Sequence, residues 1–141
     1  MTVRLSDEAR QRIAVFEDVT GAAARDCLVD EDGDRLVFLV APGEMATAIG
    51  PDGETVRRLE DRLDAEVRLV EDADDPEAFV ANALAPAVVH NVTISENDTT
   101  VAYVEVEEAD KGVAIGADGR NIEAARRLAE RHFDLADVQL T

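Results

Sequence analysis

Lysine is almost missing from this chain of 141 residues: Lys111 stands alone beside thirteen arginines. Tryptophan is absent, and aromatic residues make up only 4%. The core must therefore come from Val, Leu, Ile and Ala, within a hydrophobic content of 46%. A single cysteine, Cys27, excludes an internal disulfide and makes a reducing cytoplasm the expected location. No apolar run reaches the length of a membrane-spanning helix, and Met1-Thr2-Val3-Arg4-Leu5-Ser6-Asp7-Glu8 lacks the apolar stretch of a signal peptide. No membrane partner is expected. His90 and His132 are far apart and, with one cysteine, make no metal site, so neither metal nor cofactor is expected. No nucleophile triad is visible. No Gly-Lys-Ser/Thr follows a glycine pair, which argues against a nucleotide-hydrolysing loop. The chain is not expected to be an enzyme.

Charge is the next anomaly. Thirty-two acidic residues against fourteen basic ones give −18, a sign that normally argues against a nucleic-acid binder. The excess is spread along the whole chain, and arginine replaces lysine almost throughout. That pattern reads as adaptation to a cytoplasm at molar salt, with unfolding expected below about 1 M salt as acid repulsion loses its screening. Disorder, the other reading of high charge, conflicts with the clean apolar periodicity. The sign of the charge then reports on the solvent more than on the partner.

That periodicity organises the chain into two similar halves. Leu5, Ala9, Ile13 and Phe16 mark one face of a helix capped by Ser6 and ended by Thr20-Gly21. Cys27-Leu28-Val29 and Leu36 to Val40 flank Asp30-Glu31-Asp32-Gly33-Asp34, a hairpin signal. A short helix from Pro42-Gly43 to Ile49 follows, then a helix with Val56, Leu59 and Leu63 inward, then a strand at Val67 to Val70. The charged, proline-broken stretch Glu71 to Pro76 reads as a hydrated boundary, short enough that the halves should touch and hold a fairly fixed orientation. The pattern then restarts: a helix from Glu77 to Leu84, strands at Val88 to Ile94 and Thr100 to Val106, a short helix from Ala109 to Ile115, a helix with Ile122, Ala125 and Ala129 inward, and a strand at Val138 to Leu140. Domains are expected at 1–72 and 73–141.

The repeat is sharpest at Ala48-Ile49-Gly50-Pro51-Asp52-Gly53, which returns 66 positions later as Ala114-Ile115-Gly116-Ala117-Asp118-Gly119. Each Gly-x-x-Gly sits between two helical segments. Glycine tolerates positive φ and close approach, and the helix N-terminus behind it offers backbone N–H groups to a phosphate. Twice in one chain, this points to a duplicated nucleic-acid-binding module.

Two such units resemble tandem KH domains of type II, and the whole chain resembles the archaeal NusA-like transcription factors. The residues that carry the likeness are Phe16 to Gly21, Asp26-Cys27, Ala48-Ile49-Gly50, Val70-Glu71, Asp75-Pro76, Lys111 to Gly116 and Arg131 to Asp134. The resemblance implies an α+β fold of two three-stranded sheets, each packed against helices. It also implies single-stranded RNA binding without catalysis, linked to transcription elongation, pausing, termination or antitermination, with RNA polymerase as a further partner. In such domains the turn clamps the backbone of about four nucleotides. Carried over, it names Gly50, Pro51, Asp52 and Gly53, and Gly116, Ala117, Asp118 and Gly119, as phosphate-side contacts, with Ile49 and Ile115 as apolar groove floor. The family's variable turn positions usually include Lys or Arg; here they are Pro51-Asp52 and Ala117-Asp118.

Arg57 and Arg120 complete the expected RNA-binding set. Arg120, in the first turn of its helix, opposes the helix dipole; a phosphate partner or an acid on the hairpin would each account for it. Arg57, Arg58, Arg126 and Arg127 also fit a solvated helix surface. A monomer is expected. Gly50→Asp with Gly116→Asp is expected to weaken RNA binding and leave the fold intact. The rival readings are a KH scaffold that contacts RNA polymerase or the ribosome without RNA, and a small nucleotide-binding enzyme. Asp30 to Asp34 looks like a calcium loop but has Arg35 and Ala41 where Gly and Glu belong. His90, His132 and Cys27 are expected to be structural.

Overall fold

Ser6 starts the first helix, α1 (Asp7–Thr20), by accepting a hydrogen bond from the Ala9 amide at 3.1 Å, and Gly21 ends it in the left-handed conformation at φ 74°. The computed structural model describes residues 3–30 and 33–141. Met1, Thr2, Glu31 and Asp32, and with them part of the expected hairpin turn and N-terminal segment, lie outside the described residues. The chain divides into two compact units, one of Arg4–Asp72 and one of Ala73–Thr141 to which Val3 is also assigned, so the N-terminal residue described does not group with the expected 1–72 domain.

In the first unit, β1 (Ala24–Val29) runs antiparallel to β2 (Arg35–Val40), and β3 (Glu66–Glu71) runs parallel to β2 on its other side. A parallel neighbour needs a crossover. That crossover is α2 (Met45–Ile49), the first Gly-x-x-Gly turn and α3 (Glu54–Leu63). Phe16 of α1 stacks on Phe38 of β2 with ring centroids 4.8 Å apart, and both are fully buried among Ile13, Leu36, Val40 and Leu59. Removing either ring would cost about 3–5 kcal/mol. All six residues of β2 are buried.

The second unit repeats the scheme. It comprises α4 (Pro76–Ala83), β4 (Val89–Glu96), β5 (Thr100–Val106), α5 (Lys111–Ile115), the second turn, α6 (Arg120–Phe133) and β6 (Asp137–Leu140). The sheet order is β4-β5-β6, antiparallel then parallel. Phe79 of α4 packs edge-on against Phe133 of α6 at 4.8 Å, and Leu84, Leu128, Leu135 and Val138 are buried with it. The result is an α+β chain of two three-stranded sheets, each carrying its own helices, as the sequence predicts. Among the described residues no helix is long and apolar enough to cross a membrane.

Several details differ from the sequence expectation, among them the first short helix, which begins at Met45 after a turn at Pro42-Gly43. The acidic boundary is structured: Glu71 closes β3 and accepts from the Gly43 amide, the Asp72 amide donates to the Val40 carbonyl at 2.8 Å, and Asp75 caps α4. In α3 the buried positions are Thr55 and Leu59, while Val56 and Leu63 are half-buried. The second short helix begins at Lys111, preceded by a turn of 3-10 helix at Glu108–Asp110.

Candidate nucleic-acid interface

The two turns have the same backbone within a few degrees. Gly50 and Gly116 lie at φ 75°, ψ 172° and φ 78°, ψ 172°, a region open in practice to glycine alone. Asp52 and Asp118 lie at φ 53° and 55°, and Gly53 and Gly119 at φ 75° and 77°, all left-handed. Asp is one of the few non-glycine residues that adopt this conformation readily. The acid that looks misplaced beside a phosphate is thus the residue the turn's geometry favours.

Space separates the glycines further. A Cβ on Gly50 would fall 2.1 Å from Thr55 Oγ1 and 2.9 Å from its backbone nitrogen; one on Gly116 would fall 2.7 Å from Asn121 Cγ. At Gly53 the nearest atom is the mobile tip of Arg57, 3.1 Å away, and at Gly119 a methyl of Ile122 at 4.0 Å. The expectation that Gly50→Asp leaves the fold intact therefore fails. The first glycine of the first turn is closed to a side chain by the Thr55 backbone beneath it, and that of the second admits one only if the Asn121 side chain moves aside.

Nor do the glycine amides face outward. Those of Gly50 and Gly116 donate to Ala46 and Gly112, and those of Gly53 and Gly119 to the carbonyls of Gly50 and Gly116. The donors left for a ligand are the amides of Asp52, Ala117 and Asp118, which have no partner among the described residues. Pro51 has no N–H to offer. The helices behind the turns differ from α1 and α4 in lacking a side-chain N-cap, so their first amides are not covered by a cap.

Ile49 and Ile115, next to the turns, are 38% and 42% exposed, and Val113 on α5 is 45% exposed. Large apolar side chains therefore border both turns. Pro51, Asp52, Ala117 and Asp118 are exposed. Arg57 and Arg58 are exposed on α3 and have no partner among the described residues. Arg120 is half-buried and has a partner within the protein. Arg126 is tied to Glu123 at 2.5 Å and to Asp137 at 2.9 Å, so it braces α6 against β6. Sequence reading had no means of separating these arginines, because their helix positions alone do not reveal their partners.

The remaining candidates have structural roles. Asp30 is buried and bonds Arg35 Nε at 2.7 Å, which consumes the first carboxylate of the calcium-like loop. His90 lies on the rim of the second sheet against Glu107, at a bulge between Val89 and Asn91, and His132 packs on Phe79. Burial pushes the Cys27 thiol up to about 12, with the nearby Arg12 charge opposing and Asp26 reinforcing. It is an unreactive packed side chain. Among the described residues no group of His, Cys, Asp and Glu forms a metal cluster.

Comparison with known proteins places this geometry. Residues 10–74 match the model of the KH domain, and residues 76–140 match that of the NusA-like second KH domain. The chain is 69% identical to the probable transcription termination protein NusA of Halococcus morrhuae over 99% of both chains. It is 64% identical to the protein of the same name from Halobacterium salinarum over the full length of both. The crystal structure of APE1850 superimposes with a TM-score of 0.84 at 33% identity, covering 97% of this chain and all of that one. Two KH domains in tandem, matched end to end by these relatives, make the chain a member of the NusA-like family of transcription termination proteins, of the kind found in halophiles.

Proposed function

We propose that the protein binds single-stranded RNA through both Gly-x-x-Gly turns and acts on transcript elongation and termination at the transcribing RNA polymerase, as a monomer and without catalysis. The observation that carries this reading is the pair of identical turns, each leaving a free amide at its acidic residue beside an exposed isoleucine. In this reading Asp52, Ala117 and Asp118 supply backbone donors to phosphate. Gly50, Gly53, Gly116 and Gly119 shape the turn, Pro51 rigidifies it, Ile49 and Ile115 carry bases, and Arg57 and Arg120 supply positive charge. Two linked sites at about four nucleotides each span about eight.

Filter binding of short single-stranded RNA to the folded chain in molar KCl tests it. Retention of RNA, strengthened by Asp52→Asn with Asp118→Asn, is the expected result. Each substitution keeps a residue that accepts left-handed backbone and removes one repulsion of about 1 kcal/mol at 4 Å in water, so the gain per turn is at most about fivefold. A folded chain that retains no RNA, yet binds polymerase or ribosome, would make it a protein-interaction scaffold instead.

A further inference from the structure

The two turns share a backbone but not a chemistry, and three differences fall on one axis. Arg120 in place of Glu54 runs the other way, but it is half-buried and already has a partner within the protein. Where the first turn has Pro51, the second has Ala117 with a free amide. Where α3 has Arg57 reaching over Gly53 and then Arg58, α6 has Glu123, bound to Arg126, and buried Ala124. Where α2 has Thr47, α5 has Val113, so the second turn borders two exposed apolar side chains and the first only Ile49.

Resting on the RNA-binding reading above, we propose that the sites divide the work by salt sensitivity. The first turn is an arginine-assisted phosphate site whose affinity falls as salt rises. The second is a more salt-resistant site that holds RNA mainly through the Ala117 and Asp118 amides and the Val113–Ile115 surface, its nearby positive charge, Arg120, being shared with a partner within the protein. The physical basis is general. A guanidinium on a single-stranded phosphate gains affinity by releasing counterions, with a slope of about −0.7 in log K against log salt for each contact. A backbone hydrogen bond and an apolar contact release few ions. At molar salt, with a screening length of about 3 Å, the second site holds the RNA and the first mainly orients it.

The turns' shared backbone supplies the test. Ala117→Pro installs the first turn's proline on the second. Gly116 at φ 78°, ψ 172° matches Gly50 at φ 75°, ψ 172°, which already precedes a proline in the first turn. Pro51→Ala makes the reciprocal change. RNA affinity is measured by fluorescence anisotropy between about 1 and 4 M KCl for the parent, both proline variants and Arg57→Gln. Ala117→Pro is expected to weaken binding about tenfold at every salt concentration, the effect of one hydrogen bond to a charged group, with the slope unchanged. Arg57→Gln should flatten the slope by about 0.7. Pro51→Ala should strengthen binding, and it carries the test if Ala117→Pro proves unfolded by circular dichroism. Parent-like affinity in either proline variant, or a slope untouched by Arg57→Gln, overturns the division of labour while leaving RNA binding in place. A parent that binds no RNA overturns both.

Discussion

Gly50→Ala and Gly53→Asn change two glycines of the same turn, both at positive φ, and the structure assigns them very different consequences. At Gly50 the new Cβ meets Thr55 Oγ1 at 2.1 Å, Thr55 Cβ at 2.6 Å and the Thr55 backbone nitrogen at 2.9 Å. Thr55 is itself buried at the start of α3, so relief requires the helix to shift. The conformation at ψ 172° adds about 1–3 kcal/mol for a residue with a Cβ, and overpacking adds about as much again. A loss of about 3–5 kcal/mol follows, a large part of a small domain's stability. At Gly53 asparagine meets only a flexible guanidinium tip and adopts the left-handed backbone readily. A loss of about 1 kcal/mol or less follows. Denaturant titration at about 3 M KCl reads both, and with a shift of about 4–8 °C per kcal/mol thermal melts confirm the order. A Gly50→Ala variant within 0.5 kcal/mol of the parent, an order-of-magnitude error bound on such extrapolations, would refute the assignment. Equal losses at the two glycines would refute it too.

Three further outcomes follow from the buried groups and the net charge. Asp30→Asn removes a buried carboxylate bonded at 2.7 Å to the buried Arg35 guanidinium and should cost about 3 kcal/mol or less in a denaturant melt, whereas replacing both residues with apolar ones should cost much less. Cys27, with its pKa raised from 9.0 to about 12, keeps its proton in the folded chain after the unfolded chain has lost it. Stability should therefore fall as pH rises above about 9, and a thiol reagent at pH 8, roughly neutral, should label the denatured chain only. A net charge of −18 predicts a melting temperature that climbs with KCl up to the molar range. An unchanged value between dilute and molar KCl would discredit the salt-adaptation argument.

Much of the fold was legible because local and global signals agree. Ser6, the four-four-three spacing from Leu5 to Phe16, and Gly21 each specify the same helix, and the structure uses all three. What stayed hidden depends on phase and direction. His90 falls in step with Val88 and Val92 in a regular strand, but the bulge between Val89 and Asn91 inserts one residue, and His90 is exposed. One extra residue reverses the facing of side chains around it. Thr55 rather than Val56 is the buried residue of the first helical turn because it lies beneath Gly50, a tertiary contact that no spacing encodes. The acids at Glu71, Asp72 and Asp75 read as solvated, since composition cannot show that their partners are Gly43, Arg25 and the α4 amides. At the turns, the motif and its duplication were plain, yet the glycine amides were assigned the wrong direction. Those of Gly50 and Gly116 close the last turns of α2 and α5 onto Ala46 and Gly112, those of Gly53 and Gly119 close the turns onto Gly50 and Gly116, and the outward role falls to their neighbours.

Those neighbours explain why the turns carry acid where the family usually carries a base. Left-handed backbone at Asp52 and Asp118 favours Asn, Asp or Gly over Lys. Lysine accepts that strain, about 1 kcal/mol, when its charge returns more than it loses. At molar salt the screening length of about 3 Å removes most of that return, and the same screening removes most of the penalty for aspartate. Conformation then decides, and in a chain as acidic as this one it decides for Asp. Asp52→Lys with Asp118→Lys consequently should lower the melting temperature and bind RNA no better than Asp52→Asn with Asp118→Asn at about 3 M KCl. Lysine variants that bind markedly tighter than the asparagine pair at that salt would show that charge still governs the turns, and the conformational explanation would be wrong.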